Sequence, residues 1–204
     1  MLRPRVPLAV KGRLHVATEG RLTERDYISD IRMSLRIPKE LVVLLRHECT
    51  DPLSLVEQVL GRISGSDFDG DLDEAWVVFD VDEHRQNPVA QARFARAICL
   101  AEANGVNVAY SNPCVELWLL LHFESQTAEL NRGQAREKLK KYLPSYDKAL
   151  TEKELALLRP ANAVATARAG QLLAKAARPE YKEFPFLNPT TRFHVLIERI
   201  KQLK

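Results

Sequence analysis

Cysteine is scarce in this sequence and no long apolar run occurs. The 204 residues hold three cysteines, Cys49, Cys99 and Cys114, the last two within apolar stretches and the first shortly after one. An odd number so placed predicts buried thiols in a reducing compartment and excludes a disulfide framework. No apolar run nears the roughly 18–20 residues of a membrane-spanning helix. The longest, Cys114 to Phe123, is interrupted by Glu116 and His122. The basic start, Met1-Leu2-Arg3-Pro4-Arg5, leads into no apolar signal-peptide core. These absences point to a cytoplasmic protein. Also missing are Gly-x-x-x-x-Gly-Lys-Ser/Thr, Cys-x-x-Cys, His-Glu-x-x-His and Gly-x-Ser-x-Gly. P-loop phosphate binding, zincin chemistry and an α/β-hydrolase nucleophile therefore have no foothold. No internal repeat or low-complexity tract is present.

What is there suits one domain, or one domain with a helical extension. The chain is 46% hydrophobic and 28% charged, enough apolar material for a real core. Net charge is only +3, but it is unevenly spread. Ser66 to Glu83 carries eight acids and no base, whereas Ser125 to Lys182 carries twelve bases against six acids. An acidic centre beside a basic flank is what a nucleic-acid enzyme needs, cations to meet phosphates and acids to hold metal. Most such bases would also serve simply as solvated helix faces.

Apolar patterning predicts alternating strands and helices. Strands are expected at Gly12–Thr18, Leu41–Leu45, Ala75–Phe79 and Val106–Tyr110. Helices are expected from Thr23 to about Arg36, after Asp51-Pro52, from Pro88 to Asn104, and from Ser111-Asn112-Pro113 to Phe123. Pro38 stops the first helix and Gly105 suits the end of the third. This order predicts an α/β fold, about four mostly parallel strands flanked by helices. Further helices are expected at Asn131–Tyr142, Thr151–Leu158, Asn162–Ala177 and Thr190–Leu203, with Thr151 and Glu154 in a capping-box pattern. Residues 1–124 read as the α/β core, and 125–204 as a mainly helical extension packed on it.

Three acidic signals follow these apolar runs. Glu19 ends the first strand, with Gly20 free to turn tightly behind it. Asp80-x-Asp82 ends the third; residues two apart in extended chain point the same way, so both carboxylates reach one metal or a pair of metals. Glu116 lies in an apolar helix, where a buried acid needs a cation, a base or an exposed edge. Strand ends in open α/β sheets face the ligand crevice, and gathered carboxylates need protons or cations. Mg²⁺ or Mn²⁺, one or two ions, suits such oxygen ligands. Glu24 fits two roles, a further metal ligand or an acid matched to a helix dipole. His84 is a candidate leaving-group acid or a solvent-exposed loop residue. Asn112 caps a helix or holds substrate, and His122 belongs to a helix face. Arg132, Arg136, Lys138, Lys140 and Lys141 are the candidate nucleic-acid contacts. The acid-rich stretch Asp67 to Glu74 has no assigned role.

Glutamate after the first strand and Asp-x-Asp after a later one resemble the toprim pattern of topoisomerases, bacterial primases and overcoming-lysogenization-defect (OLD) nucleases. More specifically, four segments are similar to the RloB family: Thr18-Glu19-Gly20-x-x-Thr23-Glu24-x-x-Tyr27; Val78-Phe79-Asp80-x-Asp82-x-His84; Ser111-Asn112-Pro113-Cys114-Val115-Glu116-Leu117-Trp118-Leu119-x-x-His122-Phe123; and Asn188-Pro189-Thr190-Thr191. They span nearly the whole chain, and the third is the most specific. The resemblance implies a toprim-like core, a phage-defence setting beside restriction systems, and an ATPase partner called RloA. It implies that Glu19, Asp80, Asp82 and Glu116 are the metal and catalytic residues. The expected function is a Mg²⁺-dependent nuclease acting on DNA or RNA. Rival readings are an inactive toprim-like module docked on an ATPase, and a nucleotidyl or phosphoryl transferase.

Overall fold

Alternate residues of the central strands go to opposite faces of one sheet. The computed structural model describes residues 12–46, 51–81, 84, 87–178 and 187–204. The basic N-terminus, Cys49 and Asp82, all singled out above, lie outside them. The strands are β1 (Leu14–Thr18), β2 (Val42–Leu44), β3 (Glu74–Asp80), β4 (Asn107–Asn112) and β5 (Thr190–Thr191). Their order is β2-β1-β3-β4-β5. The first four are parallel and β5 is antiparallel to β4.

Between β1 and β4 run α1 (Thr23–Ser34), α2 (Pro52–Ile63) and α3 (Pro88–Ala103). Then come α4 (Glu116–Leu120), α5 (Arg132–Lys140), α6 (Glu152–Leu158), α7 (Asn162–Ala176) and α8 (Phe193–Lys201). Leu14, Val16, Trp76, Val78 and Ala109 pack with α1, α4, α7 and α8 on one face. Ala17, Val77, Phe79, Val108 and Tyr110 pack with α2 and α3 on the other. Burial on both faces is why these strands read as continuous apolar runs.

Local chemistry sets most boundaries as expected. The Asp51 carboxylate accepts from the amides of Leu53 and Ser54 ahead of Pro52, and Gly105 takes φ +70° just past α3. Thr151 and Glu154 form the capping box of α6. Asn131 and Gln134 form another at α5. Among the described residues no helix is long and apolar enough to cross a membrane.

Four expectations need correction. The helix expected from Pro113 to Phe123 shrinks to Glu116–Leu120. Asn112 does not cap it; it is the last residue of β4, and its side-chain amide donates to Leu187 O at 3.0 Å. The helix expected from Thr190 begins at Phe193, because Thr190 and Thr191 pair with Asn112 and Ser111 as β5. A two-residue strand leaves no periodic trace in sequence. Asn188, just ahead of β5, bonds both backbone groups of Leu130 through its side chain. Cys99, expected to be buried, is exposed. It sits on the outer side of α3, whose inner side is formed by Phe94, Ala97, Ile98 and Ala101.

The acid-rich stretch lies at the opposite end of the strands from their C-termini. Asp73 there accepts from the Arg13 amide and guanidinium, lies 3.3 Å from His15 Nε2, and joins β1 to β3.

Candidate active site

Because β1, β3 and β4 are parallel, their C-terminal ends open on one edge. The chain departs from β1 toward β2 on one side and resumes at β3 on the other, which leaves a crevice at that edge. Glu19 stands there directly after β1. Its amide donates to Val78 O, and its Oε2 accepts from the Asp80 amide at 3.2 Å. Its Oε1 is 3.6 Å from His84 Nε2, and the His84 ring stacks on Phe94. Gly20 then turns the chain into α1. A methyl at Gly20 would overlap the Glu24 carboxylate, so glycine is what lets Glu24 fold back beneath the loop, 4% exposed.

Asp80 ends β3 and Glu116 begins α4. A cavity of about 320 Å³ is lined by Glu24, Asp80, Glu116, Arg132, Arg136 and Lys148, among others. Arg132 Nη2 lies 3.2 Å from Asp80 Oδ2, and Arg136 Nε lies 2.7 Å from Glu116 Oε1. The Tyr146 hydroxyl, 2.8 Å from Thr23 Oγ1, donates to Glu116 Oε1 at 3.3 Å. Thr23 Oγ1 in turn donates to Lys148 O.

The acids repel one another. Burial first, then the charges of Glu24 and Glu116, push the Asp80 carboxyl well above its usual range, and Arg132 only partly offsets them. The Asp80 side chain keeps 19% of its area open to the cleft, which moderates the size of that rise but not its direction. Burial, with Glu116 and Glu19, pushes Glu24 up to about 7. Glu116 goes the other way. Burial alone would raise it, but the Cys114 thiol and Arg136 overcome that and lower it.

Among the described residues, no three His, Cys, Asp or Glu side chains stand ready to hold an ion together. The donor chemistry still suits a hard divalent cation: oxygen ligands only, crowded enough that Asp80 and Glu24 resist ionising until positive charge arrives. Glu19, Glu24, Asp80 and Glu116 are the residues that could share such an ion. Asp82 lies outside the described residues.

The remaining candidates separate. Asn112 is buried and committed to Leu187. Lys138 bonds Gln126 and pairs with Glu124, and together with Lys141 it lines a different depression. Lys140 lines a groove next to the cleft. His122 is buried away from the acids: its Nδ1–H donates to Trp118 O, which leaves Nε2 to accept from the Tyr27 hydroxyl at 2.8 Å. Tyr146 and Lys148 escaped sequence reading. Their segment has neither strand nor helix periodicity, and the one local signal is that a tyrosine and a lysine flank Asp147 just after Pro144.

A family model described as RloB-like protein matches residues 14–200. No curated protein and no solved structure matches. The matched span takes in Glu19, Glu24, Asp80 and Glu116, both arginines of the cleft and the returning β5–α8 segment. A β-α sheet with acids at its strand ends, matched from the first strand to the last helix, belongs to the RloB-like protein family.

Proposed function

We propose that this protein is a divalent-metal-dependent nuclease that cleaves phosphodiester bonds in a phage-defence setting. The observation that carries this reading is the crowding of Asp80, Glu24 and Glu116 in one cavity beside Arg132 and Arg136, with Glu19 bonded to the Asp80 amide at its edge. Such excess negative charge in a partly desolvated site is unfavourable unless a cation or protons balance it. When bound, Mg²⁺ or Mn²⁺ would activate water and neutralise charge on the attacked phosphate. Glu19, Asp80 and Glu116 would hold the ion, with Glu24 beneath them and Asp82, two residues after Asp80, as a further ligand. Arg132 and Arg136 would meet phosphate oxygens with fork-shaped donors.

The test is incubation of purified protein with end-labelled single-stranded DNA, duplex DNA and RNA, with Mg²⁺, Mn²⁺ or chelator. Cleavage that needs the ion and is lost in Asp80→Asn and in the Asp80→Ala/Asp82→Ala double variant is the expected result. Cleavage that survives in the double variant would sink the site assignment.

A second reading has one observation in its favour: Asp80 and Glu116 already have arginine partners. In that reading the core is a regulatory module docked on an ATPase. Isothermal titration separates the two, because the module would show no divalent binding at millimolar concentrations.

A further inference from the structure

A second cavity of about 370 Å³ adjoins the carboxylate cleft and shares Arg136 and Lys148 with it. Gly133 and Lys140 line its α5 side, and Tyr146 and Lys148 its other side. Arg132, Arg136 and Lys140 recur every four residues, so they form one row on α5, stepping about 6 Å along the axis. The row passes from the acids into the groove. Lys138 and Lys141, on the same helix and its last turn, point away from it.

Lys148 is the unusual member. Its φ of +68° is a left-handed conformation that costs a side-chain-bearing residue roughly 1–2 kcal/mol. The turn is held from both sides. Thr23 Oγ1 donates to Lys148 O, and the Leu150 amide donates to Asp26 Oδ2 at 3.0 Å. A pinned, strained lysine that lines two cavities at once points to a functional constraint rather than to chance. The ammonium groups of Lys140 and Lys148 form no ion pair among the described residues. Glu137 and Asp147 also line the groove, so its positive charge is concentrated toward the cleft, whose lining shares Arg136 and Lys148 with it.

We propose that Arg136, Lys140 and Lys148 form a phosphate subsite for single-stranded nucleic acid, holding the phosphodiester next to the one presented to Asp80 and Glu116. This rests on the nuclease reading for the role of the neighbouring acids. The groove between α5 and the Tyr146–Lys148 turn has a volume of about 370 Å³, a nucleotide-scale space that favours a single strand over a duplex. Tyr146, its aromatic, is 3% exposed with its hydroxyl turned to Glu116, which leaves no platform for base stacking. Recognition is therefore of backbone, independent of sequence.

The test is fluorescence anisotropy of a labelled oligothymidylate of about 12 nucleotides across a salt series, in chelator so that no cleavage occurs. Lys140→Gln/Lys148→Gln should weaken binding about tenfold and lower the slope of log K against log salt by about 1.4, two phosphate contacts' worth. Lys138→Gln/Lys141→Gln removes the same charge and should leave affinity and slope near wild type. Circular dichroism confirms folding of both. Equal losses in the two variants, an unchanged slope in the first, or a blunt duplex bound as tightly as the single strand would each overturn the subsite. Because neither metal nor turnover is involved, failure here is separate from failure of the nuclease reading, which loss of cleavage alone would test.

Discussion

Arg136, in the second turn of α5, places its Nε 2.7 Å from Oε1 of Glu116 at the start of α4. The Glu116 side chain is 3% exposed and the Arg136 side chain 36%, so the acid depends on the pair far more than the base does. Removing the base leaves a buried charge, whereas removing the acid leaves a cation free to turn to water.

That asymmetry makes Arg136→Ala costly. A fully buried pair broken this way loses about 3–5 kcal/mol. With Arg136 more than a third exposed, and with Tyr146 and Cys114 still bonded to Glu116, about 1–3 kcal/mol is expected in urea melts. Arg136→Ala/Glu116→Gln should recover most of it, and a double variant no more stable than Arg136→Ala would refute the pairing account.

Glu24 makes stability depend on pH. Its folded-state carboxyl is pushed up to about 7 from an ordinary 4.5. The folded chain therefore keeps a proton that the unfolded chain has lost, and stability falls as pH rises from about 4.5 to about 7, by roughly 3 kcal/mol at most. His122, lowered to about 4 by burial, acts oppositely, because stability falls as pH drops from 6.5 toward 4. The informative quantity is thus the difference between wild type and Glu24→Gln. Glu24→Gln should gain on wild type through pH 4.5–7, and parallel melting profiles would contradict the assignment.

Gly20→Ala should change the site more than the fold. The added methyl would strike the end of the Glu24 side chain and not backbone, so Glu24 must swing aside. Metal affinity by isothermal titration should fall while thermal stability shifts by less than about 1 kcal/mol. The reverse pattern would mean that Gly20 serves the backbone instead.

Tyr27→Phe tests a buried chain remote from the acids. The Tyr27 hydroxyl donates to His122 Nε2 and accepts from Asn162 Nδ2 at 2.6 Å, and Asn162 Oδ1 accepts from Lys201 Nζ. This ties α1 to the turn after α4, to α7 and to α8. Losing the hydroxyl strands two buried groups, with an expected cost of about 1–3 kcal/mol and no change in oligonucleotide binding. Binding loss at unchanged stability would place Tyr27 in the site.

Much of this protein is legible in its sequence because strands and caps are local. The segments Gly12–Thr18 and Ala75–Phe79 announce strands in the sequence, and Glu19, Asp80 and Glu116 stand where such strands end or an apolar helix begins. Asp51-Pro52 and Thr151 with Glu154 mark helix starts through bonds spanning two or three residues. The tertiary structure alone decided which base faces which acid. Arg132 meets Asp80 across 52 residues and Arg136 meets Glu116 across 20, while Lys138 on the same helix turns elsewhere. It also decided that Thr190-Thr191 closes the sheet and that Asn112 ends a strand. Pattern and capping are properties of neighbours along the chain, whereas ion pairs and a two-residue strand exist only once the packing of distant helices has fixed where those residues land.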